Sequence, residues 1–361
     1  MNIGSVKEIN TEKRISVTPD TSKSFKNLGL NVYLEKGYGE KLGYSDQEYK
    51  DKGALILNSP EEVLSKSNLI CKVNYPTEKD FDYIKDNSHL IISNYDPEKD
   101  KIFLKKNISI FALNLLPRIT RAQSMDVLSS QANLAGYRAV IESIYEFEKA
   151  VPMMMTAAGT VPAAKVLVVG AGVAGLQAIA TAKRLGAIVL ATDVRLASKE
   201  QVESLGGKFL MVEGSENLET KGGYAKEAGE DFKKKQAQML ENATSKSDII
   251  ICTALIPGKP APRIINEKMI DNMKPGSVIF DLAVTQGGNA AYSEKDKVVV
   301  KKGVKIIGIA NVMNKLPLTA SNLYAKNIFS FVRNLYSKEK KQFVINMGDE
   351  IIKNTLINRS N

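Results

Sequence analysis

A glycine-rich turn gives the strongest chemical signal in this sequence. Gly170, Gly172 and Gly175 follow the apolar run 165–169 and precede a segment with helical periodicity. In that setting the first glycine permits a tight turn, the second lets a pyrophosphate approach the backbone, and the third lets helix and strand pack closely. The free N–H groups and dipole of the helix N-terminus attract the phosphates. The pattern predicts a dinucleotide site, with a plain tight turn as the alternative.

An acidic residue lies where such a site needs one. The next apolar run ends at Thr192, and Asp193 follows it directly. A carboxylate at this distance accepts hydrogen bonds from the adenosine ribose hydroxyls. It also repels a 2′-phosphate, so the residue favours NAD(H) over NADP(H). Arg195 weakens this exclusion, because an arginine accommodates a phosphate.

A second group of polar residues precedes a long helical pattern. Gln123, Asp126 and Ser129 are spaced by three, so a helical turn presents them on one face. The alternative is a capping cluster for the helix that follows. No general acid or base of the usual kind accompanies them. This fits hydride transfer between two nicotinamides, which depends on orientation of ring and carboxamide more than on proton transfer.

Composition argues against several other kinds of chemistry. Lys and Arg outnumber Asp and Glu by 50 to 40, but the excess is scattered and forms no basic stripe interleaved with aromatics, so no nucleic-acid partner is expected. His89 is the one histidine, which argues against His-based metal sites and Ser-His-Asp catalysis. Two cysteines, Cys71 and Cys252, fit a reducing compartment. Prolines and glycines interrupt the weakly charged stretch 151–182, so no transmembrane helix is predicted.

Strand-like and helix-like segments alternate, which predicts an α/β fold with parallel sheets. The predicted strands are 15–17, 32–34, 54–57, 69–73, 90–93 and 108–113, then 165–169, 187–192, 209–212, 248–252, 277–282 and 304–309. The predicted helices in the first block are 21–28, 46–52, 60–65 and 98–105.

Two long helical patterns divide the chain. One, over 129–149, connects the two blocks, and the other, over 319–336, is expected to return to the first block. We therefore predict one domain of residues 1–130 plus 315–361, and an inserted nucleotide-binding domain of residues 131–314. The charged stretch 213–235 exceeds the usual length of a crossover loop and is predicted to be mobile.

Several segments together are similar to one protein family. They are 117–139, 153–162, the turn at 170–175, and the segments 193–195, 222–226, 254–262 and 281–284. On these motifs, which span nearly the whole chain, the sequence resembles the NAD(H)-binding part of the alpha subunit of proton-translocating nicotinamide nucleotide transhydrogenase. The resemblance implies two Rossmann-like, doubly wound parallel-sheet domains with the NAD site in the cleft between them.

The same resemblance implies an assembly. The family forms a homodimer and works with a membrane subunit and a beta subunit that binds NADP(H). Hydride passes between NADH and NADP⁺ while the partner subunits move protons. Some members continue into transmembrane helices, whereas this sequence stops at Asn361, so we expect a separate soluble subunit on the cytoplasmic face of the membrane.

Roles for individual residues follow from the resemblance by position. The residues placed near the reacting nicotinamide, and implied to be catalytic, are Arg118, Gln123, Asp126, Ser129 and Tyr224. The implied cofactor contacts are Arg118, Ile119, Thr120, Gln123, Ser129, Gly170, Ala171, Gly172, Val173, Gly175, Asp193, Val194, Arg195, Gly223, Gln236 and Leu255. Gly223 and Tyr224 match a loop that closes over the nucleotide. No metal site is implied.

Two other functions stay open. Alanine dehydrogenase shares this architecture but needs groups that move protons. Lys72 matches its lysine, whereas no histidine occurs at 93–96 and its aspartate position holds Thr285. The second alternative is a non-catalytic module that senses NAD. A hydride-transfer assay with NADH and an NADP(H) analogue, in the presence of the beta subunit, separates the three.

Overall fold

The chain folds into two compact units. The computed structural model describes residues 1–9, 11–98, 106–211, 230–256 and 259–357, with only the backbone of 230–233. Unit 1 comprises Met1–Gln131 and Met313–Asn361, and unit 2 comprises Ala132–Val312. The sequence prediction placed these boundaries at 130/131 and 314/315.

Short strands and helices alternate along the described residues. The strands are β1 (Asn2–Ser5), β2 (Asn31–Glu35), β3 (Ala54–Leu57), β4 (Leu69–Cys71), β5 (His89–Ile92), β6 (Ser109–Ala112), β7 (Met154–Thr156), β8 (Gly159–Val161), β9 (Lys165–Val169), β10 (Ile188–Thr192), β11 (Lys208–Phe209), β12 (Ile249–Cys252), β13 (Val278–Asp281), β14 (Val298–Lys301), β15 (Val304–Ile307), β16 (Tyr336–Ser337) and β17 (Gln342–Phe343). The α-helices are α1 (Pro19–Asn27), α2 (Asp46–Asp51), α3 (Pro60–Lys66), α4 (Glu78–Tyr83), α5 (Val127–Glu146), α6 (Val173–Arg184), α7 (Ser198–Ser204), α8 (Glu230–Thr244), α9 (Glu267–Asp271), α10 (Pro317–Leu335) and α11 (Glu350–Thr355).

Unit 1 is built on a parallel sheet with strand order β3-β2-β1-β4-β5-β6. Its strands alternate between two apolar clusters, as the period of two in a strand requires. Leu69 and Ile91 pack into one cluster with helix α10, whereas Ile70 and Leu90 pack into the other. Both faces of the sheet are therefore buried, which is the doubly wound arrangement that the alternation predicted.

The central strand β1 was not predicted, because its sequence is poor in apolar residues. A Cβ on Gly4 would lie 2.0 Å from the Oγ of Ser67, at the end of α3. The small residue lets helix and strand approach closely. The same close packing that places β1 in the sheet thus removes the β-branched residues by which a strand is recognised.

The prediction of a strand over 15–17 is wrong. Ile15 and Val17 are buried, but their backbone groups bond to side chains rather than to a neighbouring strand. The N–H of Ile15 donates to Ser321 Oγ at 3.0 Å, and that of Val17 donates to the Tyr38 hydroxyl at 3.3 Å. An apolar run shows burial and does not show where the backbone hydrogen bonds go.

Unit 2 contains a larger sheet with strand order β11-β10-β9-β12-β13-β15-β14. All pairs are parallel except β14 with β15, which is antiparallel. The chain enters at β9 and strand order runs in opposite directions on its two sides. Ligands of open α/β sheets bind at the carboxyl ends of strands where this reversal occurs, so the loops after β9 and β12 define the place to examine.

The predicted loop over 213–235 is partly wrong. Its last residues, from Glu230, belong to helix α8, while residues 212–229 lie outside the described ranges. Leu240 and Ala243 of α8 pack in one apolar cluster with Val169 and Ile250 of the sheet. The predicted helix over 98–105 also lies outside the described residues, apart from Glu98. None of the described helices combines the length and apolar character needed to span a membrane.

His89 makes the stability of unit 1 sensitive to acid. Its ring lies 5.7 Å from that of Phe343 and 6.2 Å from that of Phe111, and burial lowers the pKa of the imidazole below its usual 6.5. The unfolded chain therefore binds a proton more readily than the folded chain. We expect the free energy of unfolding to fall as pH decreases below about 6.5, and to fall less steeply in His89→Phe. Urea unfolding of both chains at pH 7.5 and 5.5 measures the two slopes, and equal slopes would contradict the assignment.

Candidate nucleotide-binding site

Two of the three glycines in the turn after β9 are required by local structure. Gly170 has φ +96°, and a Cβ there would lie 2.7 Å from Thr253 Oγ1. A Cβ on Gly175 would lie 1.9 Å from the carbonyl oxygen of Gly170. Gly170 therefore makes the turn possible, and Gly175 lets helix α6 pack against it.

Gly172 is required by neither backbone conformation nor packing. Its φ of −76° suits any residue, and a Cβ there would meet no described atom nearer than Arg195 Nη2 at 3.8 Å. It is the N-cap of α6 and supplies no side-chain cap to the first turn. The open space and uncapped N–H groups fit a phosphate group. Ala171 is buried below the turn, whereas Val173 is exposed at the helix start.

Asp193 lies at the carboxyl end of β10 and contacts the turn. Its Oδ2 accepts from the N–H of Ala171 at 2.7 Å, and its carboxylate also pairs with the Arg195 guanidinium. The backbone N–H of Arg195 donates to Oδ1 at 2.9 Å. The structure thus brings the predicted acidic residue to the predicted turn. Val194, between them, is half-buried.

The loop after β12 is hydrogen-bonded to the same turn. Thr253 Oγ1 donates to the carbonyl oxygen of Gly170 at 2.8 Å. Two residues later, Leu255 projects from the chain with 40% of its surface exposed. Leu255 therefore follows directly on a segment whose position is tied to the phosphate-binding turn.

Asn289 fixes this loop and was missed by sequence reasoning. It is buried, its Oδ1 accepts from Ala254 N at 3.0 Å, and its Nδ2 donates to the carbonyls of Ala254 and Pro262. Asp281, also buried, accepts from the N–H groups of Ala283 and Ala290. Burial raises the pKa of Asp281 above its usual value. A lone Asn after two glycines gave no signal, because its partners are distant in sequence.

Gly136 is a second residue that sequence reasoning missed. It lies inside helix α5, where a Cβ would be 2.0 Å from the carbonyl oxygen of Ala174 in the first turn of α6. Beside it, Asn133 Nδ2 donates to Gln177 Oε1 at 3.1 Å. A glycine in the middle of a predicted helix was the available signal, since it costs helix propensity without a packing reason.

We expect Gly136→Ala to destabilise unit 2 by about 1–2 kcal/mol. Alanine gains about 1 kcal/mol of helix propensity over glycine. However, the obstacle is a backbone oxygen that no rotamer change moves, and forced backbone shifts cost up to about 3 kcal/mol. Urea unfolding followed by circular dichroism measures the change. Ala135→Gly on the same helix is the control for propensity alone, and a stabilised Gly136→Ala would contradict the close approach.

The polar segment of unit 1 forms a short 3₁₀-helix, Thr120–Met125, before α5. Ala122 and Met125 are buried in the core cluster, whereas Gln123 is exposed. Arg118 and Thr120 are exposed as well, and Ile119 is half-buried. The segment is therefore held by its apolar side and presents its predicted polar residues outward.

Asp126 and Ser129 behave as the capping alternative predicted. Asp126 accepts from the Ser129 N–H at 2.9 Å and from its hydroxyl at 2.6 Å, which satisfies the first turn of α5. Gln123 is not part of this cap. The structure therefore separates the predicted set into two residues that start a helix and one whose amide is exposed beside them.

Helix α10 holds the segment from the core side. Asn327 Nδ2 donates to the carbonyl oxygen of Ser124 at 2.9 Å, and its Oδ1 accepts from the Ser130 hydroxyl. Gln131 donates to the carbonyl oxygen of Ala320 and accepts from Arg14 at 3.0 Å. These contacts were not predicted, because they join residues far apart in the sequence.

The remaining predicted residues divide as follows. Gly223 and Tyr224 lie outside the described residues. Gln236 is half-buried in α8, one turn before Leu240. Within unit 2 the structure joins the turn at 170–175 to Asp193, Arg195 and the loop that carries Leu255.

Comparison with known proteins identifies the family. The sequence profile described as "Alanine dehydrogenase/PNT, N-terminal domain" matches residues 4–135, and that described as "Alanine dehydrogenase/PNT, C-terminal domain" matches residues 139–361. The chain belongs to the alanine dehydrogenase/PNT family.

Within the alanine dehydrogenase/PNT family, the chain is more similar to the transhydrogenase alpha subunits compared than to the alanine dehydrogenases. It is 50% identical over 358 residues to the first of the polypeptides that make up the NAD(P) transhydrogenase alpha subunit of Rhodospirillum rubrum, covering 96% of this chain and 93% of that protein. The solved transhydrogenase of Sinorhizobium meliloti matches with a TM-score of 0.88 at 44% identity, over 99% of this chain and 98% of that one. The alanine dehydrogenase of Methanococcus maripaludis is 28% identical over 357 residues, covering 96% and 90%. The resemblance found in the sequence and the two-domain α/β fold are confirmed.

Lys72 bears on the alanine dehydrogenase branch of the family. It is buried at the carboxyl end of β4, where its Nζ donates to the Lys7 carbonyl at 3.0 Å and lies 3.7 Å from Glu8 Oε2. Burial raises the pKa of Glu8 above its usual value. The ammonium of Lys72 is thus enclosed within unit 1 and has protein partners.

Proposed function

We propose that this chain is the NAD(H)-binding subunit of a proton-translocating NAD(P) transhydrogenase. It would take part in hydride transfer between NADH and NADP⁺, with NADP(H) held by a partner beta subunit and proton movement carried out by partner subunits, so that NADPH is regenerated. One observation carries the proposal: the turn left open at Gly172, with Asp193 against it, in a chain half identical to a transhydrogenase alpha subunit.

The chain's own residues would divide the work of binding. N–H groups at the start of α6 would bind the pyrophosphate, because α6 has no side-chain cap and Gly172 leaves space. Asp193 would accept hydrogen bonds from the adenosine ribose. Bound NADH supplies the hydride. Gln123 and Ser129 would orient the nicotinamide carboxamide, a task that needs geometry rather than an acid or base.

The assembly also belongs to the proposal. We infer a homodimer, for which the hairpin of β7 and β8 offers an apolar surface: Met153 is 65% exposed and Met155 is 85% exposed. Apolar patches of this kind mark interaction sites. The further partners would be a membrane subunit and the beta subunit. The chain would lie at the cytoplasmic face of the membrane as a peripheral subunit, without a nucleic-acid partner.

Two measurements test this function. Fluorescence titration compares NADH with NADPH, and the absence of tryptophan leaves a low background for the reduced nicotinamide. We expect NADH to bind well and NADPH poorly, because Asp193 repels a 2′-phosphate. The second measurement is hydride transfer from NADH to an NADP⁺ analogue with the beta and membrane subunits present. Equal affinities, or no transfer by the complete complex, would overturn the proposal.

A further inference from the structure

Arg195 occupies the hydrogen-bonding positions that an adenosine ribose would use. We propose, on the basis of the NAD(H) function above, that the Arg195 guanidinium competes with the ribose diol for Asp193. Arg195 would then be a specificity-determining residue that lowers the affinity for NADH. A direct ligand of the nucleotide would have the opposite effect.

The carboxylate of Asp193 is fully used within the protein. Oδ1 accepts from the backbone N–H and the Nε of Arg195, both at 2.9 Å. Oδ2 accepts from Ala171 N at 2.7 Å and from Arg195 Nη2 at 2.8 Å. A carboxylate has about four lone-pair positions. Two ribose hydroxyls therefore gain access to Asp193 only when existing donors leave.

The donors differ in their freedom to leave. Two of them are backbone N–H groups, fixed by the end of β10 and by the turn after β9. The other two belong to one guanidinium at the end of a flexible side chain, 18% exposed, whereas the Asp193 side chain is 6% exposed. Release of the guanidinium frees two acceptor positions at once, which matches the two hydroxyls of the ribose.

The position of the guanidinium explains why the exchange discriminates between nucleotides. Its Nη2 lies beside the turn, 3.8 Å from where a Cβ on Gly172 would be. With NADH, breaking a charge-assisted bidentate pair offsets part of the gain from the diol. With NADPH, the 2′-phosphate would be attracted to Arg195 while Asp193 repels it. Removing Arg195 should therefore improve NADH binding and should not improve NADPH binding.

The experiment compares the full-length chain with Arg195→Met by calorimetric titration of ADP-ribose, NADH and NADPH. ADP-ribose carries the diol and pyrophosphate without the nicotinamide, so it tests this end of the site alone. We expect Arg195→Met to bind ADP-ribose and NADH about 3- to 10-fold more tightly, since a partly exposed ion pair is of modest strength. Affinity for NADPH should stay unchanged or fall. Arg195→Lys, which keeps the charge without the planar fork, should fall between wild type and Arg195→Met.

Arg184→Met is the matched control, because it removes the same charge from an exposed site in the last turn of α6. Its titrations should match those of wild type. Weaker or unchanged NADH binding by both Arg195 variants, with circular dichroism like that of wild type, would overturn the competition. Tight NADH binding by wild type in that case would leave the proposed function intact. Failure of every variant and of wild type to bind NADH or ADP-ribose would overturn both.

Discussion

Gln123→Asn is expected to lower hydride transfer by the complete complex about 100-fold while leaving the dissociation constant of NADH nearly unchanged. Most of the binding free energy would come from the phosphates at the Gly170–Gly175 turn and from the ribose at Asp193. Shortening the side chain by one methylene would displace the amide, and with it the nicotinamide, by about an ångström, a misplacement that costs on the order of 100-fold in rate.

The structure makes this substitution a clean test. Gln123 is exposed, while Ala122 and Met125 hold the 3₁₀ segment in the core. The helix cap is made by Asp126 and Ser129, so the shorter amide leaves it untouched. The expected signature is a fall in turnover without a matching rise in dissociation constant. Stopped-flow transfer from NADH with the partner subunits measures the rate, and fluorescence titration measures the affinity.

Gln47→Asn provides the matched control. Gln47 is also exposed in unit 1, and its amide donates to Asp51 within helix α2. This variant should transfer hydride at the wild-type rate. A wild-type rate in Gln123→Asn as well would reduce the polar segment to a cap for α5 and would remove Gln123 from the reacting end of the site.

The fold was largely predictable because its central strands are covered on both faces. Runs such as Lys165–Val169 and Ile249–Cys252 are almost wholly apolar, and a buried parallel strand has that sequence. The failures occur where another requirement decides the residue type. Strand β1 contains Gly4 because Ser67 packs against it, and the apolar Ile15 and Val17 bond to Ser321 and Tyr38 rather than to a sheet.

The site was predictable to the extent that its physics is local. The three glycines and Asp193 belong to one strand-turn-helix-strand unit, so their spacing expresses the chemistry directly. Asn289 and Gly136 act on the same turn from distant parts of the sequence, and their roles depend on distances that only the folded chain defines. The saturation of Asp193 by Arg195 likewise needed atomic positions, because spacing alone placed both residues at the adenosine end without saying how they interact.

Gly172→Val is expected to weaken NADH binding about 10- to 100-fold with little change in stability. The backbone at Gly172, φ −76° and ψ −168°, is open to a β-branched residue, and the space above it contains no described atom within 3.8 Å of a Cβ. The folded protein therefore accommodates valine, with a loss at the N-cap below about 1 kcal/mol. A phosphate close to the backbone would instead meet the new methyl groups, and overpacking of this kind costs about 1–3 kcal/mol.

A second glycine in the same turn separates binding from folding. Gly175→Val would bring a Cβ to 1.9 Å from the Gly170 carbonyl oxygen, so this variant should lose stability by about 3 kcal/mol or more. Gly172→Val should unfold in urea at nearly the wild-type midpoint and yet fail to bind NADH normally. If Gly172→Val bound NADH and ADP-ribose as tightly as wild type, the open space at the start of α6 would not hold the pyrophosphate. The glycine pattern would then reduce to a tight turn between β9 and α6.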